Sequence, residues 1–202
     1  MSEAKYTVSA IGPRIEVFLK PLLHEAGFKL KFEIAEGGSP HPEFENPEVV
    51  VKFTGADQDL LLSNKAELLL ALEHVTMEAL DIASEDHSRI AFDVQDYRML
   101  RIEELRMSAA AAAEKVKRTG APFRFNPMNS RERRVIHLAL RAETTLRSES
   151  SGFGGHRQVV IYPAGMASLP DEPPPPPAYR DSRRPPGGRD RGARMQGRGG
   201  RR

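Results

Sequence analysis

Arg133, Arg134, His137 and Arg141 lie close together in the stretch NPMNSRERRVIHLALR. Placed at 100° per residue on a helix, they fall within an arc of about 100°. Val135, Ile136, Ala139 and Leu140 take the other side. Guanidiniums hold phosphate oxygens in a bidentate way and stack on bases. A neutral imidazole can hydrogen-bond a phosphate or a base edge and also stacks. Such a face suits a protein that follows a nucleic-acid backbone. Spacing alone fits a solvated helix end equally well, because the helix dipole favours cations there.

Other chemistries are poorly supported. With no cysteine in 202 residues, disulfides, thiolate metal sites and cysteine nucleophiles are excluded. The six histidines are scattered, and none is read with a carboxylate or a second histidine at metal spacing, so neither metal nor cofactor is expected. Asp93 and Asp96 read as a strand end and a helix cap rather than a catalytic pair. The glycine-rich loop Ser151 to Gly155 lacks the Lys-Ser/Thr ending of a phosphate loop. It reads as a flexible hairpin loop in which Phe153 offers a stacking face. No enzyme is expected.

The elements that position these residues follow from periodicity. Asn129 with Glu132 three residues later is a capping-box signature for a helix running to about Arg141. Strands are expected at Pro122 to Asn126, Thr144 to Ser148 and Gln158 to Tyr162. Upstream, Ile15, Phe18, Leu19, Leu22, Leu23 and Ala26 recur at helical spacing, with a kink or break expected at Pro21. Phe28 to Ile34 alternates with a period of two, as do Val49 to Phe53 and Ile90 to Val94. Residues 36–47 are turn-rich. A helix over Ala66 to Leu80 is expected to bury Leu68, Leu72, Val75 and Ala79. A long helix from Tyr97 to Arg118 aligns Ile102, Leu105, Ala109, Ala112 and Val116 and stops at Gly120. The fold class is α+β, with a three-stranded sheet in the first unit and a long helix that packs on a small α/β second unit.

Charge is segregated. The net charge is only +2. Residues 1–119 nevertheless carry 14 basic against 21 acidic residues, and residues 120–165 carry seven arginines against three glutamates. Residues 166–202 add nine arginines against four acidic residues, and they hold half of all the prolines. Few large apolar residues occur there, so disorder is expected, with a polyproline rod at Pro173 to Pro177. From Arg183 onward the tail is a polycation built on Arg183, Arg184, Arg189, Arg191, Arg194, Arg198, Arg201 and Arg202. The asymmetry points to an anionic partner for the back half. No apolar run is long enough to span a membrane, and the N-terminus has no signal-peptide pattern, so an intracellular protein is expected.

A longer pattern sharpens the reading. Pro127-Met128, Arg133, Arg134, Ile136 and His137, then Thr145, Ser148-Glu149, Arg157 and Val159-Val160-Ile161, resembles the R-three-H domain, a single-stranded nucleic-acid-binding module named for its Arg-xxx-His core. Asp93-Val94, Tyr97-Arg98, Arg101 and Leu105 resemble the end of the KH domain that precedes it in bacterial proteins of the Jag (KhpB-like) family. The resemblance covers roughly residues 11–163 and does not include the family's N-terminal domain. It implies a KH-like domain over 11–96, a connecting helix over 97–119 and an R-three-H domain over 120–163, between a start over residues 1–10 expected to be flexible and a tail over 164–202 expected to be disordered. The KH phosphate clamp normally reads Gly-x-x-Gly between two short helices. The matching positions here are Ser63, Asn64, Lys65 and Ala66, and both glycines are missing. Side chains there obstruct close approach of a phosphate backbone, so a structural or protein-contact role stands beside weak RNA binding.

The expected function is a cytoplasmic, non-enzymatic adaptor or post-transcriptional regulator that binds single-stranded RNA, or single-stranded DNA. Arg133, Arg134, His137, Arg141, Ser148, Phe153 and Arg157 would form its face. The resemblance also implies a small single-KH protein as partner. The alternative is a protein-interaction scaffold docking through the acidic first unit, with the tail contacting membrane surface or RNA non-specifically.

Overall fold

The structure, a computed structural model, describes residues 5–170. The order is α1 (Val8–Glu25), β1 (Leu30–Glu36), β2 (Val49–Gly55), α2 (Gln58–Ala79), a short 3-10 turn (Ser84–Arg89), β3 (Ile90–Val94) and α3 (Tyr97–Thr119). Then come β4 (Phe123–Arg124), α4 (Ser130–Ala139), β5 (Leu146–Ser151), a 3-10 turn at Gly154–His156 and β6 (Gln158–Pro163). Two three-stranded sheets result. In the first, β2 lies between antiparallel β1 and parallel β3. In the second, β6 lies between β4 and β5, antiparallel to both. The fold is α+β. No helix among the described residues is long and apolar enough to cross a membrane.

Each sheet has its own core. The first joins Ile11, Ile15 and Leu19 of α1 to Val49, Val51 and Phe53 of β2, Leu69 and Met77 of α2, and Phe92 of β3. The second joins Ile102, Leu105, Ala109, Ala112, Ala113 and Val116 of α3 to Val135, Ile136, Leu146, Val159 and Ile161. The alanines of α3 let the helix lie close against this sheet. Gly120 ends the helix at φ +67°, with its N–H on the Val116 carbonyl at 2.8 Å, a left-handed cap that glycine adopts without steric cost.

Several local readings require correction. Pro21 does not break α1, which runs on through Pro13 and Pro21. Pro21 and Val17, whose carbonyl loses its donor, are both exposed, so water can serve that carbonyl. The buried face of α2 is rotated from the expected one. It consists of Leu69, Leu72, Glu73, Thr76 and Met77, while Val75 is 48% exposed and Ala79 is exposed too. Polar Glu73 is drawn inside because its Oε2 accepts the Phe92 N–H at 2.8 Å. Asp96 does not cap α3 with its side chain. It adopts a left-handed conformation, and Asp93 Oδ1 instead accepts the Arg98 N–H at 3.1 Å.

The margins of the described residues are held by contacts to the body of the fold. Lys5 and Tyr6 bond to Asp86, and the Tyr6 N–H bonds to Glu48 at 2.8 Å. Past β6, the Met166 carbonyl accepts from Arg147 at 2.6 Å, and the Leu169 N–H donates to the Tyr162 hydroxyl at 3.2 Å. The polyproline segment and the arginines from Arg183 to Arg202 lie outside the described residues.

The two units meet along a charged seam. Arg98 at the start of α3 pairs with Glu45 and, at 3.1 Å, with Glu73. Arg131 of α4 pairs with Glu73 at 2.8 Å and donates to the His87 carbonyl. Arg101 reaches Glu132 at 2.6 Å. Phe44, from the turn-rich β1–β2 connection, packs against the second core under the Arg106 guanidinium. Burial pulls the Arg98 pKa down, but the Glu73 and Glu45 carboxylates outweigh it and the net shift is upward.

Candidate nucleic-acid interface

The capping box forms as the spacing requires. Asn129 Oδ1 accepts the Glu132 N–H at 2.9 Å, and Glu132 Oε2 accepts the Asn129 N–H at 3.1 Å. This fixes the first turn of α4 and hence the phase of its arginines. Arg131 turns to the seam. Arg133 lies about 160° around the helix from it and points elsewhere.

Met128 brings Arg133 and Arg157 together. Its N–H donates to the Arg157 carbonyl at 3.0 Å, and its own carbonyl accepts from Arg133 Nη1 at 2.9 Å. Burial, then the nearby Arg157 charge, hold the Arg133 guanidinium below its ordinary pKa, though it remains cationic. Two like charges held together with no carboxylate paired to them among the described residues make a site that favours an anion.

His137 occupies the predicted face but is engaged within the protein. Its Nδ1 lies 2.7 Å from Ser148 Oγ and its Nε2 lies 3.1 Å from Ser150 Oγ. Ser148 and Ser150 pair with Ile161 and Val159 across the sheet, so they share the face that α4 covers. Burial, and then the Arg133 charge, push the His137 pKa below its usual value. The ring is therefore neutral at pH 7, with one nitrogen donating and the other accepting. It fastens α4 to the edge strand β5. Ser150 was missed from sequence, because the strand was expected to stop at Ser148.

The remaining predicted residues are exposed. α4 ends at Ala139, so Arg141 lies in the following turn rather than on the helix, its N–H on the Leu138 carbonyl at 3.2 Å. Arg134 and Arg157 are exposed, and Phe153 is 59% exposed at the tip of the β5–β6 connection. Gly152 makes that tip possible. It sits at φ +93°, where a Cβ would come within 2.7 Å of the His156 carbonyl oxygen.

Pairing separates ten of the described arginines into two groups; Arg14, which donates to the Leu80 carbonyl at 2.6 Å, and Arg118 also form no ion pair among the described residues. Arg89, Arg98, Arg101, Arg106, Arg131 and Arg147 are all bound to carboxylates. Arg133, Arg134, Arg141 and Arg157 form no ion pair among the described residues. Arg147, on the opposite face of β5, is also held over the Tyr162 ring at 4.4 Å.

Ser63, Asn64, Lys65 and Ala66 form a break within α2, as expected of a loop between two helices. Asn64, Lys65 and Ala66 have φ of 52°, 62° and 59°, while Ser63 is extended at φ −59°, ψ 149°. Left-handed backbone is thus kept without glycine. Tyr97 donates to the Lys65 carbonyl at 3.2 Å, Ser63 donates to the Asp59 carbonyl at 3.1 Å, and the Ala66 methyl is fully buried.

A model of the R-three-H domain matches residues 103–163, a span that begins inside α3 and closes with β6. Curated relatives are similar over a wider region. The RNA-binding protein KhpB of Clostridium symbiosum is 33% identical over 114 residues, 56% of this chain and 51% of that protein. KhpB of Bacillus subtilis is 33% identical over 110 residues, 54% of this chain and 53% of that protein. KhpB of Lactiplantibacillus plantarum is 29% identical over 119 residues, 59% of this chain and 37% of that protein. The chain thus spans about half the length of the first two.

Proposed function

We propose that this chain, a KhpB-like protein carrying an R-three-H domain, binds single-stranded RNA and acts without catalysis, as an adaptor or regulator in the bacterial cytoplasm. One observation carries the reading: among the described residues, Arg133, Arg134, Arg141 and Arg157 lack carboxylate partners, while most of the other described arginines are paired. Keeping uncompensated guanidiniums together is unfavourable unless a polyanion neutralises them. In the proposed mode Arg133 and Arg157 hold a phosphate, and Arg134 and Arg141 extend the binding surface along the strand. Phe153 stacks on a base. His137 acts by holding Ser148, Ser150 and β5 in place beneath this surface.

The test is affinity for a labelled single-stranded RNA against salt, using the full chain and a chain ending after Pro170. Replacing Arg133 and Arg157 by alanine should weaken binding and flatten the salt slope by roughly 0.7, the single-strand value for the one phosphate they hold. Equal affinity and slope in the shorter chain with and without both guanidiniums would refute the reading. The acidic first unit as a protein-docking scaffold would then take its place.

A further inference from the structure

We propose that His74, Glu78 and His87 form a surface site for a divalent transition cation of the zinc class. This is independent of the RNA reading. His74 and Glu78 are four residues apart on α2, one helical turn, which places them on the same side. That pair at chelating spacing was overlooked in the sequence, and its third member was not visible there. The 3-10 turn brings His87 alongside, with one ligand atom of each residue within 4.8 Å of the others. The two imidazoles meet edge to face, their centroids 6.1 Å apart.

His87 is prepared for such a role. Its Nε2 lies 2.9 Å from the Ile82 carbonyl, an acceptor only, so Nε2 carries the proton and Nδ1 the lone pair. A backbone carbonyl that fixes the tautomer and orientation of a ligating histidine is a recurrent second element of metal sites. The backbone of His87 is also gripped, because Arg131 donates to its carbonyl. Bonds of about 2.0–2.2 Å would draw the three ligands closer than they now lie. His74 and Glu78 can make that adjustment, since their side chains are 67% and 61% exposed. Two imidazoles and one carboxylate with open positions suit Zn²⁺, Ni²⁺ or Co²⁺ rather than Mg²⁺ or Ca²⁺. Water would fill the remaining coordination. A bound cation would tie α2 to the turn that Arg131 holds from α4, bracing the seam between the two units.

Calorimetric titration of Zn²⁺ into the untagged, chelator-washed full chain tests the site. One equivalent should bind with a micromolar Kd, and saturation should raise Tm by a few degrees. His74→Ala and Glu78→Ala, both at exposed positions, should each weaken binding about tenfold or more, and His74→Ala with His87→Ala should abolish this equivalent. Mg²⁺ at the same concentration should leave Tm unchanged. Absence of Zn²⁺ binding below about 100 µM would overturn the proposal. So would one-equivalent binding that is unaffected by His74→Ala, since the ion would then lie on other histidines.

Discussion

Glu73 is the residue on which the seam turns, and its removal should cost more than that of any exposed charge. Its side chain is 8% exposed. It accepts the Phe92 N–H at 2.8 Å and faces Arg131 at 2.8 Å and Arg98 at 3.1 Å. Glu73→Ala leaves the Phe92 N–H without its acceptor and Arg98 with Glu45 as its remaining close pair. Breaking a buried pair from one side costs about 3–5 kcal/mol, because the surviving charge stays desolvated. At about 2–4 °C per kcal/mol for a domain of this size, Tm should fall by roughly 6–20 °C. Glu73→Gln keeps the shape and an acceptor for Phe92, so its cost should be nearer about 2 kcal/mol. Arg131→Ala removes a partly exposed partner and leaves Glu73 two others, so about 1 kcal/mol is expected after screening. Urea and thermal unfolding of the three variants provide the assay, with the Glu73→Ala/Arg131→Ala double variant closing a cycle. A Glu73→Ala loss within about 1 kcal/mol of zero, or no coupling with Arg131, would show that the seam is solvated and does not hold the units together.

Three further outcomes follow from the geometry. Because folding lowers the His137 pKa, the unfolded chain takes up that proton first as pH falls below about 6.5. The stabilisation is therefore complete above that pH and is lost as pH drops through the folded value, and His137→Asn should remove this part of the slope in urea titrations between pH 7.5 and 5. Asp86 titrates low, chiefly through its hydrogen bond from Lys5. Its contribution should thus be complete above a pH of about 3.9 and be lost as pH falls further through the lowered folded value, so the stability curves of wild type and Asp86→Asn should converge in acid. Lys65 sits at φ 62°, a conformation that costs a side-chain-bearing residue about 1–2 kcal/mol. Lys65→Gly should therefore stabilise the protein by about 0.5–1 kcal/mol in thermal melts, and a decrease in Tm would mean that its side chain is needed there.

The readable parts of this chain were those with short-range causes. The alternation of Phe32 and Ile34, the register of Ile102 through Val116 and the Asn129–Glu132 box each depend on residues within a few positions. The break in α2 was also legible, although the reason it needs no glycine at Ser63 was not, since that residue is extended. What escaped has partners distant in sequence. Glu73 looks like an exposed helix residue until Phe92, Arg98 and Arg131 are brought to it, and with it the buried face of α2 rotates away from Val75. The helix cap passed from Asp96 to Asp93 because the left-handed turn before α3 aims the earlier carboxylate at the Arg98 N–H. Ser150 was missed through a strand boundary misplaced by a few residues. His137 was read as part of the basic face, but the serines that occupy both its nitrogens lie on a strand that only the fold brings beneath it.

Helix α4 explains how an acidic unit and the proposed polyanion-binding surface can share one molecule. Its arginines divide by helical phase. Arg131 faces Glu73 and Glu45 of the first unit, and the seam absorbs acidic charge that would otherwise repel a nucleic acid. Arg133, turned away, stands beside Arg157 with no carboxylate among the described residues to quench it. A one-residue shift in the phase of α4 would bring the wrong side chains to both surfaces, and the Asn129–Glu132 box prevents that shift. Glu132 therefore has two tasks, since the same carboxylate that closes the box also takes Arg101 of α3 at 2.6 Å. Charge neutralisation at the seam and charge accumulation on the far face are thus two consequences of one helix start.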